Sequence, residues 1–120
     1  MHPPMFVQKE QLFIAFDSIP WEEQGGGVRR KVMAYGDQLM AAYVEFTAGA
    51  VGALHRHPHV QITFVKEGAF RVHIGGEERV LRAGDFYYIP SDVLHGATAI
   101  EAGVLVDVFS PMRAEFLPKN

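Results

Sequence analysis

The chain has 120 residues, room for one domain with a single core but not for two. Hydrophobic residues make up 48% and cysteine is absent, which argues against intrinsic disorder and excludes disulfide scaffolds, thiolate metal sites and cysteine nucleophiles. The formal net charge of -3 leaves no basic excess for nucleic acid or an anionic membrane surface, and no apolar run approaches the ~20 residues of a membrane span.

The start, Met1-His2-Pro3-Pro4-Met5, lacks the basic-then-apolar order of a secretory signal, so the expected location is the cytoplasm. Residues 1–10 read as a loose lead-in, Leu12 to Phe16 as a candidate edge strand, and 21–27 as a flexible glycine-ended loop. The expected division is an N-terminal arm over 1–26 and a barrel over 27–120. From there extended runs follow at 28–35, 39–47, 60–66, 69–74, 78–82, 86–89, 94–99 and 103–109. Turn signals separate them, and Gly75-Gly76 is a tight-hairpin signal because paired glycines accept positive φ. No long window carries a helical period. Short strands with frequent turns predict an all-β sandwich or barrel.

The run 104–109 places Val104, Val106 and Val108 on one face and Leu105, Asp107 and Phe109 on the other. Both faces are apolar apart from Asp107, so burial on both sides is expected, one face lining the barrel and the other packing on a second sheet or a partner subunit. Phe86 and Tyr88 share a face that leads toward His95 and reads as core. Arg29, Arg30 and Lys31 read as a solvated cluster, one of which could turn inward toward an anion.

Histidines concentrate at 55, 57, 59 and 95. Alternate spacing puts His55 and His57 on one face of an extended chain, Gln61 shares their parity, and His95 could close the set from another strand. Three imidazoles and one amide oxygen suit zinc, nickel, copper, cobalt, iron or manganese. All four are uncharged, so a bound ion would keep its double positive charge and act as a Lewis acid. His73 reads as a surface residue and His2 as part of the lead-in.

The segment from Gly49 through His55, His57 and Gln61 to Gly68 resembles the first cupin motif in every spacing, with Gln61 replacing the usual glutamate. Gly84, Pro90 and His95 match the second motif, while Asp92 and Ala99 depart from it at positions that do not bind metal. A narrower resemblance, carried by Gly27 to Tyr35, Gly52 to Thr63 and Leu105 to Arg113, is to the pectin-degradation cupins of the KdgF type, which have glutamine at that ligand position. It implies a small double-stranded β-helix (a jelly-roll barrel) with one divalent transition metal ion on His55, His57, Gln61 and His95. It also implies conversion of 4,5-unsaturated uronates to linear ketouronates, with Asp107 catalytic and Phe109 and Arg113 contacting the anionic sugar. His59, outside the ligand set, is expected at the mouth in contact with substrate. Small cupins resemble one another in pairing, so a homodimer is expected. Another metal-dependent cupin enzyme, such as a dioxygenase, and a non-catalytic sugar-acid-binding cupin are the alternatives.

Overall fold

A computed structural model describes residues 6–118; His2 lies outside them. The strands are β1 (Glu22–Gly25), β2 (Val28–Gly36), β3 (Leu39–Phe46), β4 (Val51–His55), β5 (Val60–Glu67), β6 (Ala69–Ile74), β7 (Glu77–Arg82), β8 (Phe86–Ile89), β9 (His95–Ala99) and β10 (Gly103–Ser110). Alternation sets which face of each is buried. In β3, Met40, Ala42, Val44 and Phe46 are buried while the residues between them reach solvent at least in part. The strands form two antiparallel sheets, ordered β1-β2-β3-β10-β5-β8 and β4-β9-β6-β7. Phe46 of the first meets Phe70 of the second edge-on, with ring centroids 5.1 Å apart. Around that pair Val44, Val65, Val72, Ala97, Ala99 and Leu105 close the core between the sheets. This is the jelly-roll barrel expected from the sequence. No helix among the described residues is long and apolar enough to cross a membrane.

The Gly75-Gly76 hairpin joins β6 to β7, with φ of 57° and 88° at the two glycines. β10 runs between β3 and β5 at the middle of its sheet. Val104, Leu105 and Phe109 are buried there, and Val106, Asp107 and Val108 are half-buried.

Two expectations near the N-terminus need correction. Leu12 to Phe16 is not a strand: the backbone is irregular and ends in a 3-10 turn at Phe16–Ser18, with Leu12 and Phe13 almost fully exposed. The edge strand lies further on, at β1, in the stretch read as a flexible loop. Glu22 and Glu23 stand across from Arg30 and Arg29, and the glycines at 25, 26 and 27 take φ of 85°, 62° and 85° to turn the chain. Opposite charges across the ladder and a glycine turn outweigh the low strand propensity of the glutamates. The arm before β1 is tied down by buried Val7 and Ile19 and by Lys31, 3% exposed, whose Nζ donates to the Phe16 carbonyl at 2.8 Å. Phe16, Trp21 and Tyr43 pack edge-on or tilted around it, and Lys31 Nζ sits 3.7 Å from the Phe16 ring centroid.

Candidate metal centre and active-site cavity

A strand that sequence periodicity does not mark, β4, carries the first histidine. β4 pairs with β9, and between Gly52↔Ala97 and His55↔His95 the register shifts. The bulge adds one residue on the β4 side and brings His55 directly opposite His95. Gly96 permits the close approach: a Cβ there would lie 2.8 Å from the Gly52 carbonyl oxygen. His57 follows β4 on a short loop that is pinned from outside, since Asp92 N–H donates to the His57 carbonyl at 2.8 Å. Gln61 lies on β5, so its place beside the histidines comes from the chain reversing after His57 and not from unbroken parity.

One ring nitrogen from each of His55, His57 and His95 can be chosen so that all three lie within 4.8 Å of one another. Each Nδ1 faces a backbone carbonyl: Ala53 at 2.8 Å, His59 at 3.0 Å and Val93 at 2.9 Å respectively. Carbonyls only accept, so the Nδ1 atoms carry the protons and each Nε2 keeps a lone pair. Burial holds His57 below its ordinary pKa, with Arg113 adding to the effect, and burial pushes His95 down to about 4. Both are therefore neutral near pH 7.

The amide of Gln61 is oriented by what its nitrogen does. Nε2 donates to Thr63 Oγ1 at 2.9 Å and to Asp107 Oδ1 at 3.3 Å, which turns Oε1 toward His57 Nε2 at 3.0 Å. An unprotonated Nε2 and an amide oxygen are both acceptors, and two acceptors at that separation call for a cation between them. His95 Nε2 is buried with no hydrogen-bond partner among the described residues. An orphaned acceptor, an acceptor–acceptor contact and three tautomers fixed from behind fit a divalent ion bound by His55, His57, His95 and Gln61.

Thr63 continues the network, its hydroxyl donating to Asp107 Oδ1 at 2.7 Å. Asp107 pairs across the ladder with Thr63, and Phe109 with Gln61, so these inward side chains form one patch on two neighbouring strands. Burial pushes the Asp107 carboxyl up to about 6, against the lowering effects of Thr63, Arg113, His55 and Gln61. Tyr87, opposite Thr63 on β8, joins the same wall. Burial, and then Asp107, hold its hydroxyl well above the ordinary tyrosine pKa, so it stays protonated.

Beside this network lies a cavity of about 290 Å³, which Tyr87 borders while His57 and Thr63 sit behind its wall. Asp107, Phe109 and Arg113 all border it, with His55, Gln61 and His95. Phe109 is 1% exposed and turns its ring edge-on to His57 and Phe116. Arg113 follows β10; its Nε and Nη2 donate to Glu115 Oε2 at 3.1 and 3.0 Å. His59 stands apart from this lining: its carbonyl holds His57 and its ring packs edge-on against the His57 ring. Phe86 and Tyr88, expected inside, are 64% and 55% exposed, and Tyr87 between them points in. Arg30 also borders the cavity, while Arg29 and Lys31 do not.

A cupin-domain family model matches residues 42–109. The pectin degradation protein KdgF of Dickeya dadantii is 47% identical over 103 residues, covering 84% of this chain and 94% of that protein. Among solved structures, an RmlC-like cupin from Shewanella frigidimarina superposes with a TM-score of 0.89 at 38% identity, over 92% of this chain and all of that one. KdgF from a Halomonas species superposes with a TM-score of 0.86 at 39% identity, over 89% of this chain and 99% of that one.

Proposed function

This chain belongs to the cupin family, among the KdgF-like pectin-degradation proteins, and from that premise we propose that it is a metal-dependent enzyme that opens 4,5-unsaturated uronate monomers to linear ketouronates. The observation that carries the reading is a single carboxylate, Asp107, of raised pKa, hydrogen-bonded to the proposed ligand Gln61 inside a cavity of monosaccharide size.

The substrate is a ring hemiacetal whose ring oxygen is also an enol ether, with a carboxylate beside the double bond. Opening it is an isomerisation. The anomeric hydroxyl loses its proton, C1 becomes a carbonyl, the bond from C1 to the ring oxygen breaks, and C4 of the resulting enolate takes a proton. One proton leaves and one returns, so one carboxylate serves as base and then as acid. A carboxyl that burial raises toward neutrality, against the pull of nearby cations, is suited to both steps. Thr63 fixes its orientation through the 2.7 Å hydrogen bond.

His55, His57, His95 and Gln61 hold the divalent ion, which when bound supplies Lewis-acid polarisation of a substrate oxygen. Arg113 pairs with the uronate carboxylate, a guanidinium being matched to two carboxylate oxygens. Phe109 forms the apolar wall of the cavity beside the sugar, and His59, set back from the lining, supports the site by holding His57 through its carbonyl. The working form is a homodimer in the cytoplasm.

Unsaturated monouronate made by a pectate or alginate lyase absorbs in the ultraviolet and decays slowly by itself. The purified protein accelerates that decay, and Asp107→Ala returns it to the spontaneous rate. If the wild-type protein leaves the decay unchanged, the reading fails.

A further inference from the structure

The basic triplet on β2 splits three ways. Arg29 faces out, paired with Glu45 at 2.7 Å and stacked 3.9 Å from the Trp21 ring. Lys31 is buried against the N-terminal arm. Arg30 turns into the cavity with only 16% of its side chain exposed. A guanidinium so placed needs partners, and it has few. Among the described residues its hydrogen bonding is a single contact, Nε to Glu22 Oε1 at 3.3 Å. Its two terminal nitrogens are left with donors to spare. Its Cζ lies 3.7 Å from the Phe116 ring centroid.

Arg113 reaches the same ring from the other end of the chain, with Cζ 4.4 Å from the Phe116 centroid. The two guanidinium carbons are therefore no more than 8.1 Å apart. Each leans on one rim carboxylate, Glu22 or Glu115, through a contact that leaves terminal donors free. Two guanidinium groups this close, each with terminal donors to spare beyond its rim carboxylate, suit an anion in the cavity; among the described residues Asp107 is the only carboxylate on the lining, and it already accepts from Thr63 and Gln61.

We propose that Arg30 is a second substrate-binding residue, which shares the anionic end of a monouronate with Arg113 and makes the cavity selective for acidic over neutral sugars. Glu22 is its resident competitor: it holds the guanidinium in place when the cavity is empty and yields it to the sugar carboxylate. The proposal rests on the reading of the substrate as an anionic sugar, and adds a residue to which no role in it has been given.

The test uses the metal-loaded protein and galacturonate, a saturated monouronate that carries the carboxylate but no enol ether, with neutral galactose as control, both by calorimetry. Arg30→Gln weakens galacturonate binding about tenfold or more, the loss expected for a charge-assisted hydrogen bond. Arg30→Lys recovers part of it. Glu22→Gln tightens galacturonate binding, since it removes the competitor but not the guanidinium. Galactose binding does not respond to any of the three. A purely structural Arg30, bracing Phe116 and β1, predicts the opposite sign for Glu22→Gln, because breaking the brace loosens the wall. Glu22→Gln also answers the question should Arg30→Gln not fold. Wild-type affinity for galacturonate in Arg30→Gln, weakened binding in Glu22→Gln, or no binding to the wild type each overturns the proposal. Arg30-dependent galacturonate binding without accelerated ultraviolet decay leaves Arg30 in place and removes the ring-opening reading; accelerated decay with an unchanged KM in Arg30→Gln does the reverse.

Discussion

Asp107 is held in the fold at an energetic cost. Its carboxyl is pushed up to about 6 by burial, although Thr63 and Gln61 both donate to it. A folded pKa above the unfolded value means that the fold favours the protonated form. Stability from this group is complete below the unfolded pKa near 3.8 and is lost as pH rises through 6. Asp107→Asn in metal-stripped protein should therefore be more stable than the wild type at pH 7, by roughly 3 kcal/mol at most for a shift of this size, and should melt at a higher temperature. The gain should vanish by about pH 4, where both side chains are neutral. His57 and His95, both lowered, act with the other sign. His95 is pushed down to about 4, so both proteins lose stability as pH falls from about 6.5, and Asp107→Asn loses it more steeply. Thermal scans across pH 4–7 check this; a variant no more stable than the wild type at pH 7 would show that the carboxylate is comfortably solvated. Such an exchange of stability for a reactive group is usual at active sites. Gln61 and the three histidines are legible in the sequence because fixed spacing reports them. Tyr87 is not, because Phe86-Tyr87-Tyr88 has no polar residue to mark which parity faces out. Arg30 leaves a weaker trace: it shares parity with Val28 and Val32, and Val32 is 1% exposed.

At the level of elements, the candidate metal centre depends on a register shift in β4. Without the bulge in β4, His55 would pass one position beyond His95 and turn to the opposite face. Sequence periodicity misses β4 altogether, because Val51-Gly52-Ala53-Leu54 is short, glycine-broken and exposed at both Val51 and Leu54. It also misplaces the edge strand at Leu12 to Phe16, an apolar run that finds no neighbour to pair with, and misses β1, whose pairing is set by charges on β2. The other eight strands are legible because alternation and turn residues coincide there. The β4–β9 contact gives the sharpest test at this scale. Gly96→Ala puts a methyl group 2.8 Å from the Gly52 carbonyl, a backbone atom that cannot swing aside. The strands must part, at a cost of about 1–3 kcal/mol for overpacking. His55 rides on the displaced strand, so metal affinity should fall by tenfold or more while circular dichroism keeps its strand signal. Metal affinity equal to wild type in a folded Gly96→Ala protein would mean that the bulge, not the close approach, sets the ligand geometry.

The whole molecule leaves one sheet face unaccounted for. Val108 on β10, Ile62 on β5 and Tyr88 on β8 stand in register across three strands, and Val106, Phe64 and Phe86 form a second such row. Their even spacing on one side of the pleat puts these residues on the face away from the barrel. Ile62, Tyr88 and Phe86 are 47%, 55% and 64% exposed, and Leu39 beside them is 56% exposed. Leu39 and Val108 also border a groove against Leu12 and Tyr35 of the arm and β2. Scattered apolar residues are ordinary on a surface, but registered rows that run into an apolar groove are not. A second copy of the chain suits such a face best, because a two-fold axis presents the same rows to themselves and needs no other complementary surface. Sedimentation equilibrium of the wild type should give twice the chain mass at micromolar concentration. Ile62→Glu, which sets a carboxylate in the middle of the first row, should give the single chain. The cavity opens on the other side of this sheet, so the monomeric variant should keep its metal and lose stability more than turnover. A wild-type protein that sediments as a single chain at all concentrations would sink the dimer and leave the cavity chemistry untouched, since none of its residues lies on these rows.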